Sequence, residues 1–303
     1  MSSNIGSVLV YGAAGAQGSA IVRAALAAGA KVRVLLRDGT ANPFGDAVEV
    51  ARGDLLDAAS LNRASAGIDK VALTLPQAPD RELLRQSGHN VIDAAKAAGA
   101  KLLVWNTTGP LPATHTGSAA IDAGVDTAAY LRASGLASIL IQPTLYMDNL
   151  SAPWIAPAIV HQGVLAYPLP GEFRTAWISW ADLGAYVVAA LQRPALAGRA
   201  FSVGGPDILS GHDAAKTIAA VLGRAVSYAP VPLPAFAAGL NAAFGNAMGD
   251  EIATHYGWLQ AQPTSPLAID FRPALAELPI RPTSFSHWAG AQDWQRIASL
   301  KAA

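Results

Sequence analysis

Three glycines at the first strand-to-helix junction narrow the folds open to this chain. Residues 10–18 read Val10-Tyr11-Gly12-Ala13-Ala14-Gly15-Ala16-Gln17-Gly18. A β-branched run over 7–11 precedes them. A helical pattern over 17–28 follows, with Ile21, Val22, Ala25 and Leu26 on one face. Gly12 permits a tight turn, Gly15 lets backbone amides approach a ligand, and Gly18 lets helix and strand pack closely. The opening turn of the helix, through Ala14, Gly15, Ala16 and Gln17, then offers free N–H groups and a partial positive charge to a diphosphate. An ordinary glycine-rich turn without a ligand is the competing reading. The position at the first strand–helix junction argues for a dinucleotide.

The same alternation recurs through residue 142. Apolar runs at 7–11, 31–36, 47–50, 70–75, 101–105 and 138–141 predict strands covered on both faces. Helical patterns at 17–28 and 80–98 lie between them. The expected fold is α/β, a doubly wound, mostly parallel sheet of the Rossmann type with a smaller, mainly helical C-terminal lobe. After Pro143 prolines become frequent. A strand at 175–178, a helix at 181–192 and a strand at 200–203 are still expected, and from about 205 the pattern is helical and proline-punctuated. Residues 1–150 and about 174–204 are therefore assigned to the nucleotide domain, and about 151–173 and 205–303 to a substrate lobe.

Composition excludes several functions. Lys+Arg and Asp+Glu both total 21, so no basic excess points to nucleic acid. The chain has no cysteine, which removes disulfides, thiolate metal sites and a cysteine nucleophile. The histidines never fall in a metal-ligand spacing. No Gly-x-Ser-x-Gly elbow and no Walker lysine occur. Residues 225–249 carry no charge, but Pro230, Pro232, Pro234 and Asn241 interrupt them, so a cleft-lining segment is expected rather than a membrane span. Residues 1–4 lack the basic start of a secretory leader, and a cytoplasmic location is expected.

The second predicted strand ends at Arg37-Asp38, and Arg37 lies 19 residues after Gly18. An arginine there can clamp a 2′-phosphate, which favours NADP(H). Asp38 could instead receive the ribose of NAD(H). In Arg52-Gly53-Asp54-Leu55-Leu56-Asp57, Asp54 and Leu55 are placed to border an adenine, while Asp57 can equally cap the next helix.

With these residues in view, the chain resembles the NmrA-like branch of the atypical short-chain dehydrogenase/reductases, over nearly its whole length. The resemblance rests on the glycine turn, on residues 34–38, on Gly53-Asp54-Leu55, on Tyr130-Leu131-Arg132-Ala133-Ser134-Gly135-Leu136, and on Gln142-Pro143-Thr144-Leu145-Tyr146-Met147-Asp148-Asn149-Leu150. It implies a 2′-phosphate contact at Arg37. It implies a nicotinamide end bordered by Thr74, Leu75 and Pro76 and by Asn106 and Thr107, and a substrate cleft at the turn from Pro143 to Tyr146. The chain also departs from the pattern. None of its seven tyrosines has a lysine four residues later. Related reductases often carry a lysine where this chain has Gly124, and no lysine occurs between Lys101 and Lys216.

Candidate proton donors are Tyr146, His115 and Asp122. Each has a plainer reading: packing at the sheet's lip, a surface histidine in a proline-rich loop, and a helix cap. Trp154, Trp177, Trp180 and Trp258 suggest an aromatic cleft or an aromatic core. The chain reads as a reductase of a small apolar carbonyl, enone or quinone, with no nucleic-acid or membrane partner; a homodimer stays open. The missing lysine favours the alternative of a non-enzymatic NADP(H) sensor acting through a protein partner. A lyase or isomerase on the same fold is a third possibility.

Overall fold

The computed structural model describes residues 5–244 and 248–300. The reading of residues 1–4 lies outside them. The chain begins β1 (Ser7–Tyr11), α1 (Ala16–Ala27), β2 (Lys31–Leu36), β3 (Glu49–Arg52), α2 (Ala58–Ser65), β4 (Lys70–Thr74), α3 (Arg81–Ala97), β5 (Leu102–Asn106), α4 (Ala119–Ser134) and β6 (Ser138–Pro143). It continues with β7 (Val164–Tyr167), β8 (Thr175–Ala176), α5 (Trp180–Leu191), β9 (Ala200–Val203), β10 (Ile208–Leu209), α6 (Gly211–Leu222) and β11 (Ser227–Pro230). The described chain closes with α7 (Leu233–Phe244), α8 (Met248–Gln260), α9 (Arg272–Glu277), α10 (Phe285–Gly290) and α11 (Trp294–Ser299).

Seven strands form one sheet in the order β3-β2-β1-β4-β5-β6-β9, and every pairing in it is parallel. The apolar runs are continuous because each strand feeds two cores. Val8 and Val10 face one side with Ile21 and Val22 of α1 and Leu183, Tyr186 and Val187 of α5. Leu9 and Tyr11 face the other with Leu61 of α2, Val91 and Ile92 of α3 and Leu131 of α4. The chain runs outward from β1 to β3 and then returns to β4. The crevice between β1 and β4, at their C-terminal ends, is the switch point where this architecture places ligands.

A third core belongs to the lobe. It gathers Leu150, Ile159, Leu165, Tyr167 and Trp177 with Ile218 of α6, Leu259 of α8 and Phe285, Trp288 and Trp294. The lobe is less purely helical than its sequence pattern predicts. β11 pairs in parallel with β7, and β10 pairs antiparallel with β8. Pro230 hid β11; it ends that strand in a two-stranded sheet, where a missing N–H is tolerated. Two predicted strands shift. A tight turn over Gly45–Ala47 delays the third strand to residue 49, and of 175–178 only Thr175–Ala176 forms a strand. Among the described residues no helix is long and apolar enough to cross a membrane; α7, inside the charge-free stretch, has 12 residues.

Candidate active site

The three glycines of the turn answer to different constraints. Gly12 has φ +77°, and a Cβ there would fall 2.4 Å from the Thr74 carbonyl oxygen. A Cβ on Gly18 would fall 2.0 Å from the Gly12 carbonyl oxygen. The fold itself therefore demands both. A Cβ on Gly15 would meet only the Gly12 oxygen, at 3.4 Å, and would otherwise stand in open space. Gly15 leaves the start of α1 exposed and sterically open.

That helix start is also unlike those of α2 to α6. Asp57, Asp80, Ser118, Ser179 and Ser210 cap those helices with their side chains. Asp57 is thus a cap, as its plainer reading holds. α1 has no side-chain cap and no acid in its first turn, and Ala14, Gly15 and Ala16 are exposed beside it. The Gly15 amide donates to the Gly12 carbonyl at 3.1 Å, and the amides of Ala16 and Gln17 that follow receive no side-chain cap.

Arg37 stands exposed just past β2, and among the described residues its guanidinium has no hydrogen-bond or ion-pair partner. The loop behind it is held by Arg52, whose Nη1 donates to the Arg37 carbonyl at 2.8 Å and the Thr40 carbonyl at 2.7 Å. The sequence reading passed over Arg52 in this role. Asp54 is exposed and its Oδ1 accepts the Leu56 amide at 2.9 Å; Leu55 beside it is half-buried. Leu75 is half-buried and Pro76 exposed just beyond β4.

The strand ends converge on Gln17. Its Oε1 accepts Asn106 Nδ2 at 2.7 Å and the Tyr146 hydroxyl at 3.0 Å. Asn106 Nδ2 also reaches Thr74 Oγ1 at 3.3 Å, and Asn106 Oδ1 accepts the Thr108 amide at 3.1 Å. That last bond fixes which end of the Asn106 amide donates, and so which end of Gln17 accepts. The Gln17 amino group has no partner among the described residues, and Gln17 lines the cleft. Burial pushes the Tyr146 phenol far up, Asn106 opposes this, and Asp148 adds to it. Tyr146 therefore keeps its proton and donates it to Gln17. Thr107 is tied at its hydroxyl to the Gly109 carbonyl at 2.5 Å. Next to it, Thr108 has φ +66°, a left-handed backbone that a β-branched residue rarely takes.

Pro143 ends β6 and is buried against β9, one residue from the cleft wall at Thr144. The remainder of that block fastens sheet to lobe. The Ile178 amide donates to the Leu145 carbonyl at 3.0 Å, the Met147 amide to the Ile178 carbonyl at 2.9 Å, and the Trp180 amide to Asp148 Oδ2 at 2.8 Å.

Above Gln17, Thr107 and Tyr146 lies a cleft of about 250 Å³. Leu111, Ile121 and Leu145 form its apolar side walls, and α8 closes it with Glu251, Ile252, His255 and Tyr256. Glu251 crosses from lobe to sheet domain. Its Oε1 accepts the Ser118 hydroxyl at 2.6 Å and the Ala120 amide at 3.0 Å, and its Oε2 accepts the Ala119 amide at 3.0 Å. The start of α4 is thus plugged by the protein's own carboxylate, while the start of α1 is left open. Burial pushes the His255 imidazole down to about 4, although nearby Glu251 opposes it. Neither Glu251 nor His255 was singled out from sequence. The signal available was weak: an acid and a histidine four residues apart on one helix face of a charge-poor segment.

Two expected donors are engaged elsewhere. His115 lies exposed outside the cleft, with Nε2 2.9 Å from Asp126 Oδ1, and Arg81 bridges to the same carboxylate at 2.7 Å. Asp122 is buried, and its carboxylate accepts the Thr116 amide at 2.6 Å and the Gly117 amide at 3.1 Å. It folds the turn that leads into α4, whose cap is Ser118. At Gly124, where the resemblance leads one to expect a lysine, a Cβ would fall 2.8 Å from Leu111. None of the four tryptophans lines the cleft; Trp177 packs in the lobe core and Trp154 is exposed.

An open, uncapped helix start at the sheet's switch point, an arginine past β2 unpaired among the described residues and a half-open cleft beyond mark a nucleotide-binding α/β protein with a second lobe. The chain belongs to the NmrA-like family, which matches residues 5–289. It is 34% identical to the NAD(P)H azoreductase of Xenophilus azovorans over 238 residues, 75% of this chain and 77% of that protein. It is 31% identical over 224 residues to the (4-alkanoyl-5-oxo-2,5-dihydrofuran-3-yl)methyl phosphate reductase of Streptomyces griseus, 73% of this chain and 76% of that protein. Among solved structures, the NADPH complex of an Escherichia coli quinone oxidoreductase shares the fold, with a TM-score of 0.75 at 22% identity over 93% of this chain and 98% of that one.

Proposed function

We propose that this chain is an NADP(H)-dependent reductase that carries hydride to a small apolar carbonyl, enone or quinone. The observation that carries this reading is Gly15, exposed and sterically open. It sits on an uncapped helix start and adjoins Gln17, which also lines the cleft. The identity to an azoreductase and to a second reductase supports the reaction class.

In this reading the amides of Ala14, Ala16 and Gln17 hold the diphosphate beside Gly15, whose own amide donates to the Gly12 carbonyl; Arg37 neutralises a 2′-phosphate, and Asp54 and Leu55 border the adenine. Thr74, Leu75, Pro76, Asn106, Thr107 and Pro143 frame the nicotinamide end. When bound, the coenzyme supplies the hydride. The chain's own residues position and enclose. Leu111, Ile121 and Ile252 exclude water, which strengthens every polar contact in the cleft. Tyr146 holds Gln17 in place and leaves its amino group to the substrate. With Leu111 standing over Gly124 and no lysine near, the site has no strong acid. It suits acceptors electrophilic enough to take hydride without one.

The absence of Tyr-x-x-x-Lys keeps a second reading open, an NADP(H) sensor that signals to a protein partner. The test is to mix purified protein with NADPH and a panel of quinones, enones and aldehydes and to follow the nicotinamide absorbance. Oxidation above background supports the reductase; tight binding without turnover across the panel supports the sensor. Arg37→Ala is expected to weaken NADP(H) about 10- to 100-fold and NAD(H) far less. Equal losses would remove Arg37 from the site.

A further inference from the structure

The lobe wall of the cleft carries an imidazole that the fold leaves without a partner. His255 follows Glu251 by one helical turn on α8, so both project from the same face. Glu251 is anchored on Ser118, Ala119 and Ala120, which fixes the rotation of α8 and turns His255 into the cleft. The ring is set edge-on to Tyr256 at 6.0 Å and to Trp258 at 6.3 Å, and its Cε1 lies over Gly109. Among the described residues neither ring nitrogen has a hydrogen-bond partner, and neither is among the fully enclosed polar atoms, so both remain reachable from the cleft. An imidazole whose two nitrogens are unpaired within the protein and open to the cleft is free to pair with a ligand bound there.

We infer, resting on the reductase reading, that His255 donates a hydrogen bond to the substrate oxygen or nitrogen on which negative charge collects as hydride arrives. This narrows the substrate to flat, conjugated acceptors whose heteroatom lies beyond the carbon or nitrogen that takes the hydride: a quinone, an enone or an azo compound. NADPH is oxidised, and the acceptor gains the hydride and its electron pair as a new C–H or N–H bond. The heteroatom anion then takes one proton from solvent, while His255 keeps its own throughout. A neutral imidazole N–H is a competent donor to such an anion. Glu251 is the charged group that acts on His255; burial keeps protonated the phenols of Tyr146 in the facing wall and of Tyr256, the next residue of α8.

The test compares His255→Leu and His255→Gln with the parent, using NADPH and 1,4-naphthoquinone. His255→Leu is expected to lose about 100-fold in kcat/KM, mainly in kcat, with NADPH affinity within about twofold of the parent. His255→Gln, which keeps an N–H donor, is expected to recover to within about tenfold of the parent. The parent profile of kcat/KM is expected to show no step near pH 6.5. A His255→Leu variant as fast as the parent overturns the inference and leaves the reductase reading intact. So does a step near pH 6.5 that disappears in His255→Gln. If the parent reduces no acceptor, the reductase reading fails. The His255 assignment is then read from its ring ¹⁵N shifts as 1,4-naphthoquinone is added to NADP⁺-loaded protein: a shift confined to His255 upholds the contact, and no change overturns it.

Discussion

On one side of the cleft, Gln17 at the start of α1, Thr74 and Asn106 at the ends of β4 and β5, and Tyr146 just past β6 meet in one hydrogen-bonded group. On the other side, Glu251 and His255 arrive on a helix more than 130 residues away from the Ser118 turn it grips. The sheet wall is rigid because glycine backbones touch: Gly18 against Gly12, and Gly12 against Thr74. The lobe wall is held by one carboxylate that caps a helix of the other domain. A cleft assembled this way has one half built on close backbone contacts and a docked half whose chemistry can change without disturbing the turn.

The sharpest way to break this comparison lies in the turn itself. Gly18→Ala drives a Cβ into the Gly12 carbonyl, backbone on both sides, and is expected to cost more than about 4 kcal/mol, seen as insolubility or a collapse in Tm. Gly15→Ala, three residues earlier, meets no such wall. Its Tm is expected to stay within about 2 °C of the parent while NADPH affinity falls about tenfold. Unchanged affinity in Gly15→Ala would mean that the open start of α1 is not where the coenzyme binds. The lobe wall has its own test. Glu251→Leu strands the Ser118 hydroxyl and the Ala119 and Ala120 amides, and is expected to destabilise by about 3 kcal/mol. Glu251→Gln, which can still accept from them, is expected to restore about half of that by thermal melting. A Leu variant as stable as the parent would show that the carboxylate is not what docks the lobe.

The same contrast explains what could be read from sequence. β1, β2 and β9 lie where their apolar runs place them, because a strand buried on both faces leaves a continuous signature in the chain. Gln17, Asn106 and Tyr146 could be singled out because a helix start and strand ends at the switch point of a doubly wound sheet are candidate sites by position; the structure brings the three together. His115 and Asp122 were drawn in by residue type alone. Nothing in their spacing could show that Asp126 would take one, or that the amides of Thr116 and Gly117 would take the other. His255 was passed over for the converse reason: a single histidine acquires a role only when tertiary packing puts a cleft in front of it.

Two smaller effects refine the comparison. An unfolded histidine titrates near 6.5, whereas burial holds folded His255 near 4. Between these values the unfolded chain binds a proton that the native state does not. Stability is therefore lost as pH falls from about 6.5 to about 4 and no further below that. Denaturant midpoints at pH 7 and pH 5 should fall further for the parent than for His255→Gln, by on the order of 1–2 kcal/mol. Equal falls would place His255 in water rather than in the cleft.

The last and smallest effect concerns strain on the sheet side. Thr108 sits at φ +66°, where a β-branched residue is disfavoured by about 1–2 kcal/mol. Glycine would relieve that strain but would also loosen the unfolded chain, an offset of up to about 1 kcal/mol. Thr108→Gly is therefore expected to raise stability by at most about 1 kcal/mol, a Tm gain of a few degrees. A net loss instead would mean that the Thr108 side chain itself holds Asn106 and the strand end in place. The sheet wall would then depend on a side chain, as the lobe wall depends on Glu251.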